Sequence, residues 1–169
     1  GDDQLNGGDG NDKLFGDLGD DTLNGGDDND FLNGGSGDDS MAGEDGNDTY
    51  VVDSTGDEVT ENFAKGIDLI LSSVSYTASG NVENLTLTGS ENLSGTGNSL
   101  DNKLRGNSGD NTLTGEEGAD TIFGKGGNDI LNGEEGVDKM YAGTGDDQLN
   151  GGDGNDKLFG DLGDDTLNG

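Results

Sequence analysis

The sequence predicts an all-β fold, a parallel β-solenoid built from short stacked strands. Three observations predict it: a nine-residue unit rich in Gly and Asp recurs along the chain, one position of every unit is apolar, and Pro is absent. A fixed internal period is typical of architectures in which each unit packs only on its neighbours. The absence of Pro suits a coil of hydrogen-bonded strands, because Pro has no N–H to donate to a ladder.

The repeat is clearest at 7–15, which reads Gly-Gly-Asp-Gly-Asn-Asp-Lys-Leu-Phe. Such units form two blocks, 1–60 and 97–169, and the motif is lost over 61–96. The distance along the chain from Gly43 to Gly97 is six whole nonapeptides, so the second block resumes in register. We therefore expect 61–96 to continue the solenoid with a thicker core. A dedicated ligand site and a separate small fold are the alternatives.

The end of each unit predicts a three-residue strand. The eighth position is apolar throughout, whereas the seventh and ninth positions are mostly polar, so one side chain points inward and two point outward. The eighth-position residues are Leu5, Leu14, Leu23, Leu32, Met41, Tyr50 and Val59, then Leu104, Leu113, Ile122, Leu131, Met140, Leu149, Leu158 and Leu167.

The first six residues of each unit predict a loop that curls around an ion. Gly supplies the positive φ angles and the close backbone approach that such a loop needs. Backbone carbonyls then serve as neutral oxygen ligands, and the sixth-position carboxylate supplies charge. The predicted carboxylate ligands are Asp3, Asp12, Asp21, Asp30, Asp39, Asp48, Asp57, Asp120, Asp129, Asp138, Asp147, Asp156 and Asp165. The predicted carbonyl ligands lie in the loops near Gly7, Gly8, Gly10, Gly16, Gly19, Gly34, Gly37, Gly43, Gly46, Gly115, Gly118, Gly124, Gly127, Gly133, Gly136, Gly145, Gly151, Gly154, Gly160 and Gly163.

The net charge of -31 limits the partners of the chain. So many carboxylates would keep the chain expanded unless a counter-charge neutralised them, and about a dozen calcium ions would offset most of the charge. A basic partner protein is the alternative. Nucleic acid is excluded because it needs a basic surface, and the sequence has no apolar run long enough to span a membrane. Cys and His are both absent, so thiolate and imidazole metal sites are excluded as well.

These nonapeptides resemble the RTX, or hemolysin-type, calcium-binding repeats of secreted bacterial proteins. The resemblance covers 1–60 and 97–169, so we expect 61–96 to be a calcium-poor segment of the solenoid. It implies a right-handed parallel β-roll with two nonapeptides per turn, strands on two opposed sheets, and calcium between the loops of successive turns. It also implies type I secretion, folding in external calcium, and an extracellular, secreted or cell-surface location on a bacterium.

Several units depart from this pattern. Asn102 and Asn111 replace the charged ligand, so we expect weak or empty sites over 97–114. Asp28 and Leu100 replace the fourth-position Gly, and Ala142 replaces the first-position Gly. We expect altered loop geometry around Asp28 and Ala142.

The Asp pairs do not predict an enzyme, because they recur at the spacing of ion ligands. A second feature bears on function: residues 1–25 and 145–169 are identical, at an offset of 144 residues or sixteen nonapeptides. This predicts a tandem array of 144-residue units; an engineered chain with a duplicated end is the alternative. The first functional hypothesis is an extracellular structural repeat, as in a filament, surface layer, matrix or adhesin stalk, that associates end to end or within one long chain. The second is a secretion and folding module of a type I-secreted enzyme or toxin.

Overall fold

The structure is a computed structural model that describes residues 1–63 and 65–169. Nineteen short strands occupy these residues, and no helix among them is long and apolar enough to cross a membrane. The strands are β1 (Gln4–Asp9), β2 (Lys13–Phe15), β3 (Thr22–Asp27), β4 (Phe31–Asn33), β5 (Ser40–Asp45), β6 (Thr49–Val52), β7 (Glu58–Thr60), β8 (Leu69–Ser72), β9 (Tyr76–Thr77), β10 (Asn84–Leu87), β11 (Ser94–Thr96), β12 (Lys103–Arg105), β13 (Thr112–Glu117), β14 (Thr121–Gly126), β15 (Ile130–Gly136), β16 (Lys139–Thr144), β17 (Gln148–Gly154), β18 (Lys157–Leu162) and β19 (Thr166–Asn168).

Successive strands alternate between two opposed faces of a coil. The even-numbered strands form one nine-stranded sheet from β2 to β18, and the odd-numbered strands form a four-stranded sheet, β1 to β7, and a six-stranded sheet, β9 to β19. Except for β7 and β9, strands two places apart pair in parallel, so that Leu14 lies beside Leu32 and Leu113 beside Leu131. A turn in the repeat blocks therefore contains two nonapeptides. The predicted parallel β-solenoid is confirmed, with about nine turns.

The core is a column of eighth-position side chains between the two faces. Leu32, Met41 and Leu131 are completely buried, while the residues flanking them in their strands are half-buried or exposed. This is the period-2 pattern expected of a strand with one face on the core. The apolar eighth position thus builds the interior of the coil, as the sequence predicted.

The middle segment lies within the same coil although its turns differ in length. Thr49 pairs with Leu69, Leu69 pairs with Asn84, and Asn84 pairs with Lys103. The residue numbers of successive partners therefore rise by 20, then by 15, then by 19. Together these three turns take up as much chain as three ordinary turns of two nonapeptides each. The nine-stranded sheet thus runs from one repeat block to the other without a gap.

The core is thicker around this segment because two of the strands there bury a second apolar side chain. Strands β6 and β10 each bury two alternating side chains, Tyr50 with Val52 and Leu85 with Leu87. Gly95 takes an inward position opposite β10: a Cβ there would lie only 3.0 Å from a methyl carbon of Leu113 and 3.3 Å from one of Leu85. The additional apolar volume of β10 is thus accommodated by the loss of a side chain on the opposite face.

The face formed by the odd strands is interrupted at this point. Strands β7 and β9 are not paired, which is why this face consists of two sheets. Side chains bridge the gap instead: the Tyr76 hydroxyl donates to the carbonyl oxygen of Asp57 at 3.1 Å, and the Ser79 hydroxyl donates to that of Val59 at 2.6 Å. The coil is thus continuous along one sheet and divided along the other.

An aromatic ladder covers part of the outer surface of the nine-stranded sheet. The rings of Phe123 and Tyr141 stack at 5.1 Å between centroids, and those of Tyr141 and Phe159 at 4.8 Å. Lys103 and Arg105 place their charged groups over the Phe123 ring at 6.0 and 5.6 Å. Because these aromatic residues occupy the same position in successive turns, the strand spacing brings their rings into contact.

We expect Leu131→Ala to lower the free energy of unfolding by about 2–5 kcal/mol, because it opens a cavity in the core column. Ile130 precedes it in β15 and is 37% exposed, so Ile130→Ala should cost well under half as much. Denaturant unfolding of both variants in saturating calcium measures the two losses. Equal losses would contradict the assignment of inward and outward positions.

Candidate metal sites

The loops between strands place the predicted carboxylate ligands along two edges of the coil. Each edge receives one loop per turn, so neighbouring ligands on an edge are 18 residues apart in the regular blocks. One edge carries Asp12, Asp30, Asp48, Asp120, Asp138 and Asp156, and the other carries Asp3, Asp21, Asp39, Asp57, Asp129, Asp147 and Asp165.

After the first turn, the sixth-position Asp carboxylates bond to the turn before them. The Oδ1 atom of Asp138 accepts the backbone N–H of Asp120 at 2.8 Å, and the Oδ1 atom of Asp147 accepts that of Asp129 at 2.6 Å. The same bond links successive turns in both repeat blocks, because the parallel register aligns equivalent residues. One oxygen of each carboxylate is thus used to join the coil together.

The other carboxylate oxygen has no hydrogen-bond partner. Asp129 and Asp138 are at most 1% exposed, and in both the Oδ2 atom is buried and unpartnered. An anionic oxygen buried without a partner is strongly unfavourable, so such atoms point to an ion. The full set of these oxygens is the Oδ2 atoms of Asp12, Asp21, Asp30, Asp39, Asp48, Asp120, Asp129, Asp138 and Asp147.

Backbone carbonyls converge on the same places. A Cβ added to Gly124 would meet both the Oδ2 atom of Asp129 and the carbonyl oxygen of Ala142, which belongs to the next turn on that edge. The first position is therefore glycine because a side chain would fill the space between two oxygen ligands. Carboxylate and carbonyl oxygens are the ligands that Ca²⁺ prefers, so the residues present fit this ion. Ala142 presents its carbonyl as a first-position Gly would.

The loop shape depends on two left-handed positions. The second and fourth residues have positive φ, for example 74° at Glu134 and 148° at Gly136. The fourth position is nearly always Gly, because a Cβ on Gly136 would meet the carbonyl oxygen of Gly118 in the preceding turn on that edge. Asp28 has a φ of 75° at this position, so it keeps the left-handed conformation without Gly.

The loops at 97–114 are closed by amide side chains. The Oδ1 atom of Asn102 accepts the N–H of Asn98 at 2.6 Å, and the Nδ2 group of Asn102 donates to the carbonyl oxygen of Val82 at 3.1 Å. Asn107 and Asn111 repeat the first of these bonds at 2.7 Å. Amide hydrogens thus occupy the loop interior, which gives a physical reason for the expectation that these sites are weak or empty.

Asp57 and the terminal ligands differ from the other predicted carboxylates. Both oxygens of Asp57 accept backbone N–H groups: Oδ1 from Asp39 at 3.1 Å, and Oδ2 from Asp53 at 3.0 Å and from Ser54 at 3.1 Å. Asp57 therefore stabilises its own loop without an ion. Four predicted ligands lie in the first and last turns and are more exposed than those between them: Asp3, Asp12, Asp156 and Asp165.

Two acidic residues of the middle segment extend one of the carboxylate ladders. The Oδ1 atom of Asp68 accepts the N–H of Asp48 at 2.8 Å, and an Oε atom of Glu83 accepts the N–H of Asp68 at 2.8 Å. Sequence reasoning missed both residues, because the steps of 20 and 15 that lead to them along the ladder fall outside the nine-residue register. Only the turn lengths of the structure reveal them.

Sequence reasoning also missed a second polar ladder, formed by fifth-position side chains. The Oδ1 atom of Asn29 accepts the N–H of Asn47 at 2.7 Å, and that of Asp110 accepts the N–H of Asn128 at 2.7 Å. These bonds run to the following turn, opposite in direction to those of the sixth position. The recurrence of Asn or Asp at the fifth position was the available signal.

Burial also changes the acidity of the unpartnered carboxyls in the absence of an ion. Loss of solvation raises the pKa of Asp120 to about 7, a rise opposed by the N–H of Asn102 and increased by the charge of Asp138. The same loss of solvation raises the pKa of Asp129 to about 6. The ion-free loops therefore bind protons more readily than an unfolded Asp does.

This difference predicts opposite effects of pH with and without calcium. The folded pKa values are raised, so the folded state binds more protons, and the ion-free fold becomes more stable as pH falls from about 7 towards 4. In chelator, we expect the β signal in circular dichroism to become stronger as the pH is lowered from 7.5 to 5. The apparent calcium affinity should decrease over the same range, because protons compete for the carboxylates. A β signal in chelator that is weaker at pH 5 than at 7.5 would contradict this account.

A pair of variants tests the individual ligands. We expect Asp129→Ala to reduce the number of bound calcium ions and the cooperativity of binding, because it removes an unpartnered buried carboxylate. Asn111→Ala should leave the ion count unchanged, since its side chain closes its loop with hydrogen bonds, although the variant loses some stability. Equilibrium dialysis at saturating calcium measures the ion count, and circular dichroism verifies folding. Equal losses of bound ion in the two variants would show that the roles are wrongly assigned.

Comparison with known proteins agrees with this geometry. A family model of the RTX calcium-binding nonapeptide repeat matches the chain in four copies, at residues 1–23, 15–50, 96–131 and 132–167. A search of curated proteins finds no match. The matched residues make up well over half of the chain and coincide with the two blocks of loops that carry unpartnered carboxylates. The chain therefore belongs to the family of RTX calcium-binding nonapeptide repeats, and it is a calcium-binding β-roll with multiple sites.

Proposed function

We propose that this chain is an extracellular structural repeat that folds on binding calcium and extends as a rod in a tandem array. The role is structural and not catalytic. The observation that carries the proposal is that the 144-residue offset between the two identical segments corresponds to eight whole turns of the coil: Lys13 in β2 and Lys157 in β18 are eight strands apart in the nine-stranded sheet.

Whole turns matter because they return every residue to an equivalent place. Residues 1–25 and 145–169 have the same sequence and lie on the same faces and edges of the coil. This equivalence depends on the three unequal turns between Thr49 and Lys103, whose deviations in length cancel. In a tandem array the sequence that follows residue 25 would also follow residue 169, and it would continue both sheets and both carboxylate ladders in register.

Calcium supplies the means of folding in this proposal. Nine buried carboxylate oxygens lack partners, and the net charge is -31. About a dozen calcium ions would neutralise most of that charge, and the millimolar calcium outside cells suits weak carboxylate sites. A chain that remains expanded inside the cell and folds outside it fits a secreted bacterial protein.

A second candidate function is favoured by the family match, because RTX repeats are typical of secreted bacterial proteins. In this alternative, the chain is a secretion and folding module attached to an enzyme or toxin. The sequence of the complete protein separates the two. Many 144-residue units without a catalytic domain support the rod, whereas a protease, lipase or pore-forming domain in the same protein supports the module.

The rod predicts a defined axial repeat. Eight turns spaced at about 4.8 Å give a unit of about 38 Å. We expect a chain of several 144-residue units in calcium to show this repeat by electron microscopy or fibre diffraction. As a control, one nonapeptide is removed from each unit, which places successive units half a turn out of register and exchanges the two edges. A flexible chain of separate globules, or a repeat far from this value in the unaltered array, would refute the rod.

A further inference from the structure

We propose that Asp48, Glu61 and Asp68 bind a calcium ion where the first repeat block meets the middle segment. Two of these ligands, Glu61 and Asp68, lie outside the nonapeptide motif. The inference uses the calcium chemistry of the coil and is independent of whether the chain forms a rod.

The three side chains are brought together by two successive turns. Asp48 precedes β6, Asp68 precedes β8 one turn later, and Glu61 follows β7 on the connection between them. One carboxylate oxygen from each residue lies within 4.8 Å of the others, and the residues are 1%, 7% and 1% exposed in chain order. Three carboxylates share a space from which water is largely excluded.

An unsatisfied oxygen points into this space. The Oδ2 atom of Asp48 is buried and has no hydrogen-bond partner. A Cβ added to Gly43 would meet this oxygen, the hydroxyl of Tyr50 and the Oε1 atom of Glu61. Oxygens of three side chains therefore converge above the Cα of Gly43, in the space that a side chain at position 43 would occupy.

The charge of the cluster requires a counter-ion. Within the ranges 1–63 and 65–169, the one side-chain ion pair joins Lys65 to Asp45 at 2.6 Å, and both residues are exposed. No basic side chain of these ranges is therefore paired with the three buried carboxylates. Buried anions are tolerated when a metal ion binds them. All the donors are oxygen, which favours a hard cation, and the irregular arrangement suits Ca²⁺ better than the strict octahedron of Mg²⁺.

The proposed site is more acidic than the nonapeptide sites. A regular loop presents one unpartnered carboxylate oxygen together with backbone carbonyls, as at Asp129 and Ala142. Here three carboxylates meet, and calcium affinity rises with the number of charged ligands. The ion in this cluster is therefore the first to bind in a titration, and it joins the regular block to the longer turn that follows.

A bound proton is the competing explanation. The Tyr50 hydroxyl donates to Oε1 of Glu61, and burial raises the pKa of Glu61 to about 7. A protonated Glu61 would partly relieve the repulsion without a metal ion. The two explanations differ in the number of ions bound and in the affinity for the first ion, which the following experiment measures.

The test uses the full chain and a matched pair of variants. Glu61→Gln and Asp68→Asn each remove one charge from the cluster. Glu58→Gln makes the same chemical change as the first at an exposed position of β7, three residues away. We expect Glu61→Gln and Asp68→Asn to bind one calcium ion fewer, or to bind the first ion at least about 10-fold more weakly, which is the lower end of the loss seen when groups supporting metal sites are altered. Glu58→Gln should match the unaltered chain. Circular dichroism in saturating calcium reports folding.

Terbium provides a measurement that does not depend on the carboxylate variants. Tb³⁺ takes the oxygen ligands of Ca²⁺ and emits when a nearby tyrosine transfers energy to it. Tyr50 lies against the site, so the first equivalent of Tb³⁺ should emit on tyrosine excitation, and Tyr50→Phe should remove most of that emission. Unchanged ion count and first-ion affinity in folded Glu61→Gln and Asp68→Asn would overturn the proposal. If these variants do not fold, first-equivalent emission that survives in Tyr50→Phe would overturn it.

Discussion

The buried sixth-position carboxylate is the interaction on which the rest of the coil depends. A nonapeptide buries one aliphatic side chain, worth roughly 2 kcal/mol, whereas ordering its backbone costs about 1–2 kcal/mol for each residue. Stacking must supply the difference, and the Oδ1 atoms of residues such as Asp138 and Asp147 provide part of it by bonding to the preceding turn. The same stacking buries the Oδ2 atom, which then needs a cation. We therefore expect calcium binding and coil formation to be coupled.

This constraint explains which loop positions vary. The second position is left-handed but accepts Glu134 or Lys125, because their φ angles of 74° and 83° are close to those that L-residues adopt and their side chains are exposed. The fourth position is packed against the carbonyl of the preceding turn, and the first position lies beneath the ligand oxygens, so both favour Gly. Asp28 takes the fourth position with an altered backbone, since its φ is 75° where that of Gly46 one turn later is 157°. The carbonyl of Ala142, in contrast, lies where that of a first-position Gly would.

Periodic features of the sequence predicted the regular blocks well. The apolar eighth position indicated the core, and the sixth-position Asp residues indicated the two ligand ladders, because both recur at a fixed spacing. The structure adds what periodicity does not contain. Asp68 and Glu83 join a ladder at steps of 20 and 15, and Asn98 closes its loop through contacts with carbonyls that are distant in sequence. Such positions depend on where turns of unequal length bring the chain, which no nine-residue pattern encodes.

The middle segment shows that the register of the coil is set by hydrogen bonding between strands and not by the nonapeptide motif. Strands of the nine-stranded sheet must pair with their neighbours at full length, whereas the loops between them tolerate insertion and deletion. An added residue in one turn therefore does not displace the next strand, provided that the pairing is kept.

The three unequal turns between Thr49 and Lys103 each keep this strand pairing. Together they contain as many residues as three regular turns, so the nine-residue motif resumes in register after them. The opposite face, where β7 and β9 do not pair, is where the irregular lengths are absorbed. Loops on this stretch are closed by Asn side chains or crowded with carboxylates, so one coil contains turns whose loops bury an unpartnered carboxylate oxygen and turns whose loops do not.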